Sequence, residues 1–152
     1  MKKVTRIVVA LFAVAMFAMA IPAQAQRAGN INSVMRTARE QINMITDDGG
    51  TIDRVEFDMV RQSKSCIRQL DSRYTYGIIA IGDEARMEDL DMKISRRSGG
   101  SWEEVDSDLT VGTTARLTVD PSYTEDYKIE VSVYRFKEGY SVGYYGLIIF
   151  HD

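Results

Sequence analysis

The apolar residues Ile31, Val34, Met35, Ala38, Ile42 and Ile45 return at steps of three and four, the period of one helical face. Asn30 or Asn32 can cap the start and Asp47-Asp48-Gly49-Gly50 stops it, so the pattern predicts an amphipathic helix from Asn30 to about Thr46. The apolar stripe is narrow and the polar face is not rich in Lys and Arg. That favours docking on the rest of the domain, or on a partner, over lying on a membrane surface.

After Gly50 the period falls to two. Ile52, Val55, Phe57 and Met59 alternate in part through Thr51 to Val60, and Ser65 to Leu70 reads as a short second strand, with a helical turn between Phe57 and Ile67 as the alternative. Tyr74 to Ile81 is apolar on both faces, as a central strand covered on two sides must be. In MEDLDMKI (87–94), Leu90, Met92 and Ile94 point one way and Asp89, Asp91 and Lys93 the other, giving a strand with a wet acidic face. Arg96 to Ser101 reads as a turn, Trp102 to Val105 as the start of a strand, and Asp106-Ser107-Asp108 as a polar corner. Ala115, Leu117 and Val119 form a further strand that Pro121 ends, because proline cannot donate to a sheet ladder. Tyr127, Ile129, Val131 and Val133 alternate with Lys128, Glu130 and Ser132, and Tyr144 to His151 closes the chain. About six to eight short strands of this kind predict an antiparallel, jelly-roll-like β-sandwich over 51–152, preceded by the helix and its linker over 26–50.

The first residues belong to neither element. Lys2, Lys3 and Arg6 precede an apolar run from Ile7 to Ile21 and an Ala23-Gln24-Ala25 end, which together have the form of a secretory signal peptide with the mature chain starting near Gln26. The run is shorter than the roughly 20 apolar residues that span a bilayer, and no cysteine follows it to carry a lipid. The expected product is therefore periplasmic or secreted, with no membrane attachment after cleavage.

Loss of residues 1–25 removes three basic residues and no acid, taking the formal charge from −3 to −6. That balance disfavours nucleic acid, whose binding rests on Lys and Arg neutralising phosphates. It would suit a cation, and it equally suits simple solubility. Only Cys66 is present, so no bridge can form within the chain; Ser65-Cys66-Ile67 reads as a packed strand residue.

Asp83, Asp89, Asp91, Asp106 and Asp108 lie at loops and strand ends that a sandwich could gather, and hard oxygen ligands of this type would select Ca2+. The spacing is not that of an EF-hand. Nothing singles out a facing carboxylate pair for glycoside hydrolysis. His151, the one histidine, stands where a chain end frays, which argues against a nucleophile–histidine machine and for a chain that is not an enzyme. Trp102, Tyr134, Phe136 and Tyr140 are the rings available to stack on a sugar or pack a protein, among aromatics of which some must be core.

The series YGIIAIGDEARMEDLDMKI, VDSD, LTVDPSYTEDYKIEVSVY and GYYGLIIF, from about Tyr74 to Phe150, resembles the bacterial pre-peptidase C-terminal family of exported β-sandwich domains. The small stand-alone relatives it is most similar to carry cysteines before the D-L-D strand and before YYG. Here Gly82 to Arg86 and Phe136 to Val142 hold none, which implies looser restraint on both loops. The resemblance implies a non-catalytic accessory or binding module of the cell envelope, its partner an envelope protein or polysaccharide, with cation stabilisation as a further expectation. Two other readings stay open: a structural protein that docks a partner through its N-terminal helix, and a hydrolase of unrecognised type.

Overall fold

The computed structural model describes residues 31–152. The expected signal peptide over 1–25, the expected start at Gln26 and the candidate Asn30 cap lie outside the described residues. Among the described residues, one helix, α1 (Ile31–Asp47), is followed by eight strands: β1 (Thr51–Val60), β2 (Ser63–Leu70), β3 (Tyr76–Gly82), β4 (Met87–Ser98), β5 (Ser101–Asp108), β6 (Thr114–Val119), β7 (Glu125–Phe136) and β8 (Gly143–His151).

The strands form two four-stranded antiparallel sheets, ordered β1-β8-β3-β6 and β2-β7-β4-β5. This is the double-sheet order of an eight-stranded jelly roll. Only β4 and β5 pair as sequence neighbours within one sheet; every other link carries the chain across the sandwich. The β4–β5 hairpin turns on Gly99 and Gly100, with φ of 57° and 89°. Two positive φ values in a two-residue loop make the type I′ turn whose twist matches the strands. The stretch from Phe57 to Ile67 is not helical: β1 runs to Val60, the chain bends at Arg61-Gln62, and β2 starts at Ser63.

Alternation sends one face of each strand into the space between the sheets. Ile78, Ala80, Leu90, Met92, Ile94, Leu117, Ile129, Val131, Leu147 and Ile149 fill it. A second apolar layer lies outside the first sheet, where Val34, Ala38 and Ile45 of α1 pack on Ile79, Ile81 and Ile148. The narrow stripe read from the sequence is thus spent on the chain's own sheet. Glycine sets the approach: a Cβ on Gly146 would stand 3.0 Å from the Phe57 ring and 3.3 Å from Val34.

The helix stops at a Schellman motif. Gly49, at φ 92°, donates its N–H to the Thr46 carbonyl at 3.1 Å, and the Gly50 N–H reaches the Ile45 carbonyl at 2.9 Å. Both bonds depend on a left-handed residue at position 49. Gly49→Ala is therefore expected to cost about 1–2 kcal/mol, read in thermal melts as a fall of several degrees; an unchanged Tm would show that the cap does not hold the helix.

Candidate binding surface

The five aspartates have different surroundings, although Asp89 and Asp108 both lie near enough to Asp91 for their charges to act on it. Asp106 is exposed on β5, where its Oδ1 accepts the Ser107 N–H at 2.8 Å. Asp108 accepts the Thr110 hydroxyl at 2.6 Å and the Arg116 N–H at 2.8 Å. Burial works against its charge, but these bonds hold its carboxyl below the usual range. Asp91 is half-buried with no such donors, and burial, followed by the Asp89 and Lys93 charges acting in opposite directions, pushes its pKa up.

Asp89 departs from the wet face that simple alternation assigns it. Register shifts flank it on both sides where β4 meets β7, and it is 4% exposed. A bulge breaks the period of two, so Asp89 and Leu90 are both buried. The Asp89 Oδ1 accepts the Gly112 N–H at 3.1 Å while the Leu90 N–H donates to the Gly112 carbonyl at 2.7 Å, which ties the β5–β6 loop to the start of β4. Among the described residues, no three acids, histidines or cysteines come together as a group able to hold a metal ion.

Asp83 is fully buried in the β3–β4 turn, where its Oδ1 accepts the Ala85 N–H at 3.1 Å. Its Oδ2 has no hydrogen bond and lies 3.5 Å from the equally unbonded Arg86 Nε, leaving the two charges to each other. The Arg86 guanidinium lies 5.4 Å from the ring centre of Tyr144 and 5.7 Å from that of Tyr140, and its Nη1 donates to the Val142 carbonyl at 3.4 Å. Main-chain bonds join the same segments: Asp83 N–H to the Tyr144 carbonyl at 3.0 Å and Lys137 N–H to the Arg86 carbonyl at 2.8 Å. The looser restraint expected of these two cysteine-free loops is corrected here. A buried ion pair and main-chain bonds fasten them.

That fastening places the aromatic candidates. The second bulge residue at the β4–β7 mismatch is Tyr134, skipped between Val133 and Arg135 and 74% exposed. The parity change it causes turns Phe136 against the core end. Phe136 and Tyr140 then line one groove of about 480 Å3 with Val133, Ser141 and the Arg61-Gln62 bend. Trp102 lies elsewhere, opposite Arg97 near the β4–β5 turn, with Arg97 at 5.2 Å and Lys128 at 5.8 Å from its ring centre. Arg61 and Gln62 also line the groove, although the local period between Phe57 and Ile67 does not mark them.

Cys66 and His151 both lie outside the groove. Cys66 is half-buried against the core, and burial pushes its thiol up from the usual value, as for a packed cysteine and not a reactive one. His151 is not frayed. It pairs with both Thr51 and Tyr76 across the sheet, its Nδ1 lies 2.9 Å from Asp53 Oδ2, and its ring centre is 4.1 Å from that of Tyr74.

No protein-family profile and no curated protein matches the chain. Among solved structures it is similar to the periplasmic inhibitor of g-type lysozyme from Aeromonas hydrophila, at 10% identity and a TM-score of 0.48 over 69% of this chain and 90% of that one. A pre-peptidase C-terminal domain of collagenase from Bacillus anthracis gives 11% and 0.48 over 63% and 87%. The Yersinia pseudotuberculosis-derived mitogen gives 12% and 0.41 over 63% and 82%. Likenesses of this size assign neither family nor function.

Two outcomes follow from the acids. An acid whose folded pKa is raised adds stability only at low pH and loses it as pH rises through the folded pKa. Asp91→Asn should therefore melt higher than the native chain at pH 7, the gain disappearing below about pH 4, near the unfolded carboxyl pKa. Millimolar calcium added after EDTA should leave the native Tm in place; a rise of several degrees, lost in Asp91→Asn, would instead make these acids a cation site. For the buried pair, Arg86→Met leaves Asp83 without its counter-charge and should cost about 3–5 kcal/mol in denaturant unfolding, whereas a loss below about 1 kcal/mol would mean that water reaches the carboxylate.

Proposed function

We propose that this chain is an exported, non-catalytic binding module of the pre-peptidase C-terminal type, and that it holds a polysaccharide segment of the cell envelope in the groove at the β7–β8 end. One observation carries the reading: Phe136 and Tyr140 share a groove with Arg61, Gln62, Val133 and Ser141, and none of these six is a carboxylate or an imidazole. Rings offer a flat apolar surface for the C–H face of a sugar, and guanidinium, amide and hydroxyl groups supply donors for its oxygens. General acid–base chemistry needs a group that gives and takes a proton near neutral pH, and this lining lacks one. The volume falls in the range of small-ligand sites, about 300–1,000 Å3. Export is supported by the basic, apolar and Ala-x-Ala pattern over residues 1–25.

The test is binding to soluble fragments of envelope polysaccharide, followed by calorimetry and by tyrosine fluorescence. Tyr140→Ala should weaken binding by about tenfold or more, since losing one stacked ring costs on the order of 1–3 kcal/mol. Trp102→Ala should leave it unchanged. Equal loss in both variants, or turnover of the fragments, would overturn the reading.

A further inference from the structure

We infer that the flank of α1 facing β1 is a docking groove for an acidic peptide segment of a protein partner, one that carries an apolar anchor residue. Ile42, Val55 and Phe57 form the floor of this groove, which holds about 630 Å3, and Met35, Arg36 and Arg39 stand at its rim. Met35 is 47% exposed there, beside a stripe that is already packed on the sheet.

The arginines give the groove its sign. Arg54, Arg68, Arg73, Arg86, Arg96 and Arg135 all pair with carboxylates. Among the described residues, Arg36 and Arg39 have no ion pair, hydrogen bond or ring contact. They are one turn apart on the same helix face, over the floor residues, in a chain whose formal charge is −3. Two unspent cations above an apolar floor fit a ligand that inserts one apolar side chain and presents acids beside it.

Other occupants fit less well. A bilayer is flat where this groove is concave, the apolar face of the helix is turned to the sheet, and a net-negative chain is repelled by anionic lipid. The strand of a second copy with most acids to offer is β5. There Glu103 and Glu104 already pair with Arg96 and Lys93, and Asp108 is held by Thr110 and Arg116. This groove is separate from the one at the β7–β8 end, so either assignment can fail without the other.

The test uses the chain as secreted by an expressing host, isotope-labelled for amide NMR, and two synthetic peptides: a central leucine pair flanked by glutamates, and the same pair flanked by lysines. The glutamate peptide should shift the amides of Ile42, Val55 and Phe57 and bind about tenfold more tightly than the lysine peptide. Arg36→Glu with Arg39→Glu should invert that preference without changing the Tm, and Arg36→Gln with Arg39→Gln should abolish it. Absence of shifts at these amides, or a preference that survives charge reversal, would overturn the inference. So would binding of phosphatidylglycerol vesicles through the same arginines, which would assign the groove to a membrane, or self-association lost on charge reversal, which would assign it to a second copy.

Discussion

Everything in this molecule is arranged around a strand that cannot face water on either side. In β3, Ile78 and Ala80 point between the sheets while Ile79 and Ile81 point outward, and all four are buried. Each fully buried isoleucine is worth about 1.5–3 kcal/mol, so the strand must have two covers. The second sheet supplies one and α1 the other. The helix is for that reason part of the sandwich's core, and neighbouring residues are fitted to it: Gly146 admits Val34 and Phe57, and the Phe150 ring lies over Gly77 so closely that a Cβ there would meet it at 2.1 Å.

The same constraint explains which parts of the fold were legible in the sequence. Helix, strands and the two-faced character of β3 are written as local periods, and each appears near its predicted place. The order of strands is not local. Seven of the sequence-adjacent links leave one sheet for the other or lead from helix to strand, so neighbours in sequence seldom become neighbours in a ladder. Periodicity also fails at a bulge, since one extra residue reverses the faces of all that follow. That is why Asp89 is buried and why Tyr134 and Phe136, two apart in β7, do not share an environment. The groove was half legible. Its rings were named as candidates, but Arg61 and Gln62 joined them only because the chain bends between sheets at that point.

Where the structure spends its charges decides what surface is left over. The edge strands β1 and β2 are joined by Glu56–Arg68 and Asp58–Lys64, so the side chains close the sandwich where no ladder can. Burial opposes the Glu56 charge, yet its bonds to Arg54 and Arg68 lower its pKa, as Lys64 does for Asp58. Such groups add stability above their unfolded pKa values and lose it as pH falls through the folded ones. On β5 the register shifts between Ile94 and Ser95, and the strand carries a row of acids, two devices that keep an exposed edge from pairing with another. Ion pairs Lys93–Glu104 and Lys128–Glu130 occupy much of the outer face beside Trp102. What stays unspent is the groove at the β7–β8 end and the flank of α1.

The groove at the β7–β8 end depends on a restraint that a disulfide could otherwise supply. With Cys66 alone, no disulfide can tie the β3–β4 turn to the β7–β8 loop. Asp83 and Arg86 do so instead, buried and 3.5 Å apart, with Tyr140 and Tyr144 against the guanidinium. A buried ion pair gains little over apolar packing, because both charges give up water to form it. Its effect is on geometry. The charges tolerate no arrangement in which one loses the other, and so the loop that carries Tyr140 is held beside the groove that Phe136 also lines. A ring already in place loses less freedom on meeting a ligand than one that must be ordered first, which makes the Asp83–Arg86 pair the element that prepares the groove while remaining outside it.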